Sequence, residues 1–171
     1  DEVSSALQIL ACIMLECPQV CGFLVETQKL HAKLSLIEAT PQFAKILAIL
    51  SDVHPESLEL TIPLIPYCLQ THNSQTISFS LLAMISALKN EPESAPIIIS
   101  LVDEYATNLF SFDVYNIEES DTQYPDEIVN PESPKESSMY NEENIQLLLE
   151  IISTVPEAPV SLFIQVYNAL L

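Results

Sequence analysis

The sequence predicts an all-α fold: an α-solenoid of about four stacked helical repeats, interrupted by one long acidic loop. Three observations carry that expectation. An amphipathic run ending in proline recurs at Leu10–Pro18, Leu47–Pro55, Met84–Pro92 and Leu148–Pro156; Pro18 to Pro55 and Pro55 to Pro92 are each 37 residues, and Pro92 to Pro156 is 64. The apolar residues before each proline fall at helical rather than alternating spacing. Hydrophobic residues make up 49% of the chain while Gly22 is its only glycine, a balance that suits helices better than a sheet with its glycine-marked turns.

Each unit reads as two helices, B before the marker proline and A after it. Phe43, Ile46, Leu47, Leu50 and Val53 define one B helix; Ile77, Leu81, Met84, Ile85 and Leu88 define the next; Ile145, Leu148, Leu149 and Ile152 define the last. Asn73-Ser74 supplies an N-cap before the second of these, and Asn141 with Glu142-Glu143 before the third. Superposed on the proline, three columns are apolar throughout and are expected in a continuous core: Leu10, Leu47, Met84 and Leu148; Ala11, Ala48, Ile85 and Leu149; Ile13, Leu50, Ala87 and Ile151.

Proline then opens helix A, where a missing N–H costs nothing, and Glu56, Glu93 and Glu157 follow in the first turn. Val25, Ile62, Ile99 and Phe163 also coincide after the proline. Pro63 and Pro66 fall inside the second A helix and are expected to break or kink it.

Between residues 113 and 141 the helical pattern stops. From Asp113 to Glu143 there are ten acids against Lys135 alone, and Pro125, Pro131 and Pro134 oppose regular structure, so an acidic insertion without fixed structure is expected. Its candidate interaction residues are Asp113, Tyr115, Glu118, Glu119, Asp121, Tyr124, Asp126, Glu127, Glu132 and Tyr140, acids interleaved with aromatic anchors. The insertion reads either as solvating chain, as a pseudo-ligand docking on the solenoid, or as acidic bait for a basic partner. Ser133-Pro134-Lys135 has the form of a proline-directed phosphorylation site, where phosphate would add to an already negative loop.

The whole chain carries 24 acids and five lysines with no arginine, a formal charge of −19. Such a field repels nucleic acid and anionic membranes, and makes basic proteins or peptides the natural partners. The apolar halves of Leu60–Leu88 are each too short to cross a bilayer, so no membrane insertion is expected. No signal peptide is visible, and Cys12, Cys17, Cys21 and Cys68 lack the density of a disulfide framework, which points to reduced thiols and a cytoplasmic or nuclear location. The ends of the sequence carry no capping signals and read as a segment of a longer solenoid.

The pattern Asn73-Ser74 through Leu88, with Ser80-Leu81-Leu82-Ala83-Met84-Ile85-Ser86-Ala87-Leu88 at its end, resembles the third helix of an armadillo repeat. The second unit, with a short helix, a kink at Pro63 and Pro66 and a longer helix, is similar to the three-helix armadillo unit; the uninterrupted pairs resemble HEAT repeats. The likeness is one of period and pattern over nearly the whole chain. It implies a protein-binding scaffold or adaptor with a groove along helix B, where Gln8, Lys45, Ser78, Ser86, Gln146 and Glu150 are the candidate groove residues. Acidity and period also resemble nuclear transport receptors of the importin-β/exportin class, which would imply cargo or a small GTPase as partner. The asparagine ladder of peptide-reading importins has only Asn144 to represent it. A regulatory subunit of a phosphatase or kinase complex is the third reading.

Nothing in the sequence has the pattern of a catalytic or cofactor site. A single glycine rules out the glycine-rich phosphate loops and the nucleophile elbow. His31, His54 and His72 stand far apart without positioned carboxylates, and His54, before Pro55, reads as a turn residue. Cys17, Cys21 and His31 lack the fourth ligand that a zinc site needs. A non-enzymatic protein with no metal and no cofactor is expected.

Overall fold

The computed structural model describes residues 2–110, 142–155 and 158–170. Ten α-helices follow in order: α1 (Glu2–Glu16), α2 (Val20–Glu26), α3 (Leu30–Leu34), α4 (Pro41–Val53), α5 (Leu58–Thr61), α6 (Ile65–Leu69), α7 (Ser74–Asn90), α8 (Ala95–Phe110), α9 (Glu142–Thr154) and α10 (Val160–Leu170). Three-residue 3-10 turns fill the gaps at Pro55–Ser57, Ile62–Leu64 and Pro92–Ser94. Among the described residues there is no strand, and no helix is long and apolar enough to cross a membrane. All regular structure among the described residues is helical.

The helices before the marker prolines form one row, α1 on α4, α4 on α7 and α7 on α9. Those after the prolines form a second, in which α6 packs on α8 and α8 on α10. Within a unit the rows meet where α4 touches α5 and α6, α7 touches α8, and α9 touches α10. The core is the seam between these layers.

One backbone motif recurs at all four junctions. The N–H of Val20 donates to the Cys17 carbonyl at 3.0 Å, Ser57 to His54 at 3.0 Å, Ser94 to Glu91 at 2.9 Å and Ala158 to Val155 at 3.1 Å. His54 and Glu91, 37 positions apart, also share a backbone conformation, with φ/ψ of −139°/65° and −140°/81°. Each ends its helix by donating back one turn, His54 to Leu50 and Glu91 to Ala87. The reason is local. Proline at the next position disfavours helical geometry in the residue before it, so that residue leaves the helix, and the proline ring then starts a 3-10 turn that needs no proline N–H.

The expected caps and breaks form where the structure describes them. Asn73 Oδ1 accepts from the Thr76 N–H at 2.9 Å, as expected; Thr40 Oγ1, a cap not expected from the sequence, accepts from Phe43 N–H at 3.2 Å beside Pro41. Pro63 and Pro66 split the second A segment into α5, a 3-10 turn and α6. Asn141, Pro156 and Glu157 lie outside the described residues.

Burial agrees with the expected columns in part, and Leu50, Ala87 and Ile151 are fully buried as predicted. Leu47, Met84 and Leu148 are buried as predicted, and Leu10 partly so. Ile13, however, is 45% exposed, and Leu149 is 37% exposed. Two columns are buried in every copy instead: Leu7, Ala44, Leu81 and Ile145, and Met14, Ser51, Leu88 and Ile152. Together with the Leu47 column they have the i, i+3, i+7 spacing of a single helix stripe. In the second layer Val25 and Ile62 of the coinciding column are buried and Ile99 partly so, but Phe163 is 43% exposed; one residue earlier, Thr61, Ile98 and Leu162 are fully buried and Leu24 partly so. A one-residue shift rotates a helix position by about 100°, which carries it from core to surface.

Candidate functional site

The two prolines that break the second A segment also shape the surface beside it. The chain between α5 and α6 turns as a 3-10 segment, and there Pro63 is exposed and Pro66 half-buried. Across from them lie the Pro92–Ser94 turn and the first turns of α8. Between these elements runs a cleft of about 510 Å³ lined by Glu59, Ile62, Pro63, Pro66, Glu91, Glu93, Ser94, Ile97 and Leu101. Beyond it α6 and α8 are tied together, since Gln70 Nε2 donates to Tyr105 Oη at 3.1 Å.

The chemistry of this cleft is apolar and acidic. Ile97 is 53% exposed, unusual for isoleucine at the start of a well-packed helix, while Ile62 is buried beneath it at 8%. Glu59 and Glu93 are exposed and Glu91 half-buried, so three carboxylates surround the apolar wall, and none of the lining residues is basic. Ser94 is 4% exposed and its Oγ has no hydrogen-bond partner. Its counterpart 37 positions earlier, Ser57, uses its Oγ to donate to the His54 carbonyl at 2.9 Å. The same serine in the same turn is therefore satisfied in one copy and unsatisfied in the one that lines the cleft.

A second cleft of about 430 Å³ lies among Val25, Glu26, Lys29, His31, Ala32 and Leu60. His31 is buried there, its Nε2 2.9 Å from Thr61 Oγ1. Burial, and secondarily the charge of nearby His54, push its pKa below the usual histidine value. A group that resists protonation, with no carboxylate bonded to it, is a packed core histidine rather than a proton donor. His54 sits in the turn as expected; its Nδ1 is 3.9 Å from Glu56 Oε2, beyond hydrogen-bond range. His72 is exposed.

The predicted groove residues divide. Gln8, Gln146 and Glu150 are exposed, and Lys45 and Ser86 half-buried. Gln8, Lys45 and Gln146 hold the same place relative to their prolines, and Glu150 is one turn after Gln146, so these form a ridge along the first row. Ser78 does not belong to it. It is 7% exposed, and its single hydroxyl proton is shared between Asn144 Oδ1 and the Ser74 carbonyl, both within hydrogen-bond reach. Asn144, also 7% exposed, returns a bond from Nδ2 to the Ser74 carbonyl at 3.2 Å. Both residues are thus consumed in holding α9 against α7. Asn144 is a helix-packing residue, not a surface ladder.

Cys12 and Cys17 are exposed, and Cys21 and Cys68 buried, all as free thiols. Among the described residues no group of three histidine, cysteine or acidic side chains converges as a metal site. The acidic residues of the insertion from Asp113 to Tyr140, and Ser133 with them, lie outside the described residues.

Comparisons of the chain with protein-family models, with curated proteins and with solved structures find no match. The cleft between α5/α6 and α8 was not foreseen. Its acids, Glu59 and Glu93, are 34 positions apart, and only the packing of one unit on the next brings them to one site. The visible signal was the broken helix at Pro63 and Pro66.

Proposed function

We propose that this chain is a non-catalytic protein-interaction segment of armadillo/HEAT-like solenoid type, acting in the cytoplasm or nucleus on basic segments of other proteins. The observation that carries this reading is the recurring junction. Four equivalent backbone bonds at Cys17, His54, Glu91 and Val155, with helix stacked on helix in two rows, are what a repeat architecture requires. Stacked repeats offer extended surfaces rather than a single enclosed pocket, and the one with a charge of −19 offers a negative surface.

Fluorescence anisotropy with labelled lysine-rich peptides tests the proposal. Binding that weakens with added salt, alongside no binding of glutamate-rich peptides of equal length, is the expected result. Equal affinity for both peptides, or for neither, would remove the basis for it.

A further inference from the structure

The cleft between α5/α6 and α8 brings three features together. It exposes a large apolar side chain, Ile97, beside the rings of Pro63 and Pro66. It surrounds these with Glu59, Glu91 and Glu93 and with no cation. At its base Ser94 carries a buried hydroxyl without a partner, although the equivalent Ser57 satisfies its own within the turn. A buried unsatisfied hydroxyl is a loss to folding that a bonding partner recovers.

We infer that this cleft is the docking site for a basic linear segment of a partner protein, one apolar side chain of which rests on Ile97, Pro66 and Leu101. Its flanking lysines or arginines pair with Glu59 and Glu93, and a backbone group of the segment bonds Ser94 Oγ. The inference rests on the proposed function and assigns it a site. Charge selects this occupant. A second copy of the chain carries the same −19, and the insertion between residues 113 and 141 is itself acidic, so both are repelled by the three carboxylates. A cleft of this volume accommodates one large side chain with the backbone around it.

The test uses the full 171-residue chain and a labelled peptide of alanines and lysines with one central leucine, read by anisotropy. Ile97→Asp is expected to weaken binding at least about tenfold, because the apolar anchor loses its wall. Glu59→Gln with Glu93→Gln weakens it about threefold to tenfold and flattens its salt dependence. Exchanging the central leucine of the peptide for serine weakens wild-type binding as Ile97→Asp does. All three mutated side chains are exposed, so the fold is retained, which circular dichroism checks. Ser94→Ala separates binding from stability. It removes an unsatisfied group, so the thermal midpoint holds or rises, while affinity falls about fivefold. A peptide that binds wild type and the groove variants equally well would overturn the docking site while leaving the proposed function standing. A peptide that fails to bind wild type would overturn both. A fall in the Ser94→Ala midpoint would show that the hydroxyl serves the fold instead.

Discussion

His31 Nε2 lies 2.9 Å from Thr61 Oγ1, and the direction of that bond is determined by a third group. Thr61 Oγ1 donates its only hydrogen to the Ser57 carbonyl at 3.0 Å. The histidine must therefore supply the other proton, as the Nε2–H tautomer, which leaves Nδ1 a bare acceptor buried without a partner. Thr61 occupies the second-layer core column that holds Ile98 and Leu162 in later units. The polar pair replaces what is elsewhere an apolar contact.

Stability is accordingly expected to fall with acidification. In the unfolded chain His31 takes a proton near pH 6.5, while in the folded chain burial and His54 hold its pKa below that. The unfolded state therefore binds more protons in this window, so stability present above pH 6.5 declines as pH falls towards the lowered folded value and then levels. Glu26 and Lys29 line the same cleft as His31. Urea unfolding between about pH 8 and about pH 5 measures the effect. His31→Leu with Thr61→Val should abolish this part of the slope at little cost in stability. Thr61→Val alone should cost about 1–3 kcal/mol, because it leaves a buried ring N–H unpaired. An unchanged pH slope in the double variant would contradict the assignment.

These polar pairs also mark where sequence reading stopped. Leu47, Met84 and Leu148, the Asn73 cap and the break at Pro63 and Pro66 were all legible, because each follows from local spacing or local chemistry. The core columns containing Ser51 and Thr61 were not, since a hydroxyl in an otherwise apolar column reads as surface. Of the coinciding Val25, Ile62, Ile99 and Phe163, the first two are buried and Ile99 packs on the core, and only Phe163 is exposed. Ser78 was misplaced for a related reason. Its partner Asn144 lies 66 positions away, across the acidic insertion. The cleft between α5/α6 and α8 likewise joins residues from successive units, and its Ser94 is unsatisfied although Ser57 holds the equivalent place in its own turn.

The Ser78–Asn144 pair should behave as a coupled unit that holds α9 on α7. Asn144→Ala removes the bonds to Ser78 Oγ and to the Ser74 carbonyl and leaves a cavity, for an expected loss of about 1–3 kcal/mol. Ser78→Ala strands Asn144 Oδ1 in the same interface. A double-mutant cycle by urea unfolding should give a coupling of about 0.5–1.5 kcal/mol. Strict additivity would show that the two side chains are not bonded.

Thiol chemistry should separate the four cysteines into two classes. Cys12 and Cys17 are exposed, whereas burial raises the pKa of Cys21 and pushes that of Cys68 up to about 12. Only thiolates react, and reagent must reach them. Titration of the native protein with a chromogenic disulfide is expected to detect two thiols promptly and the remaining two only on unfolding. Rapid labelling of Cys68 in the native state would mean that α6 does not pack against α7 as described.

Gly22 offers a stabilising substitution that also probes the first junction. It lies inside α2, where glycine costs about 1 kcal/mol relative to alanine, yet its backbone is not in the left-handed region that would demand glycine. A Cβ placed there would meet His54 Nε2 at 3.4 Å and Cδ2 at 3.9 Å, ordinary contact at the near limit. Gly22→Ala should therefore raise stability by up to about 1 kcal/mol, seen as a higher thermal midpoint. Gly22→Leu must displace the His54 ring, which stands at the end of α4, and should lose about 1–3 kcal/mol by overpacking. If leucine were tolerated as well as alanine, α2 would not lie over the His54 turn, and the contact between the first and second units would be wrongly placed.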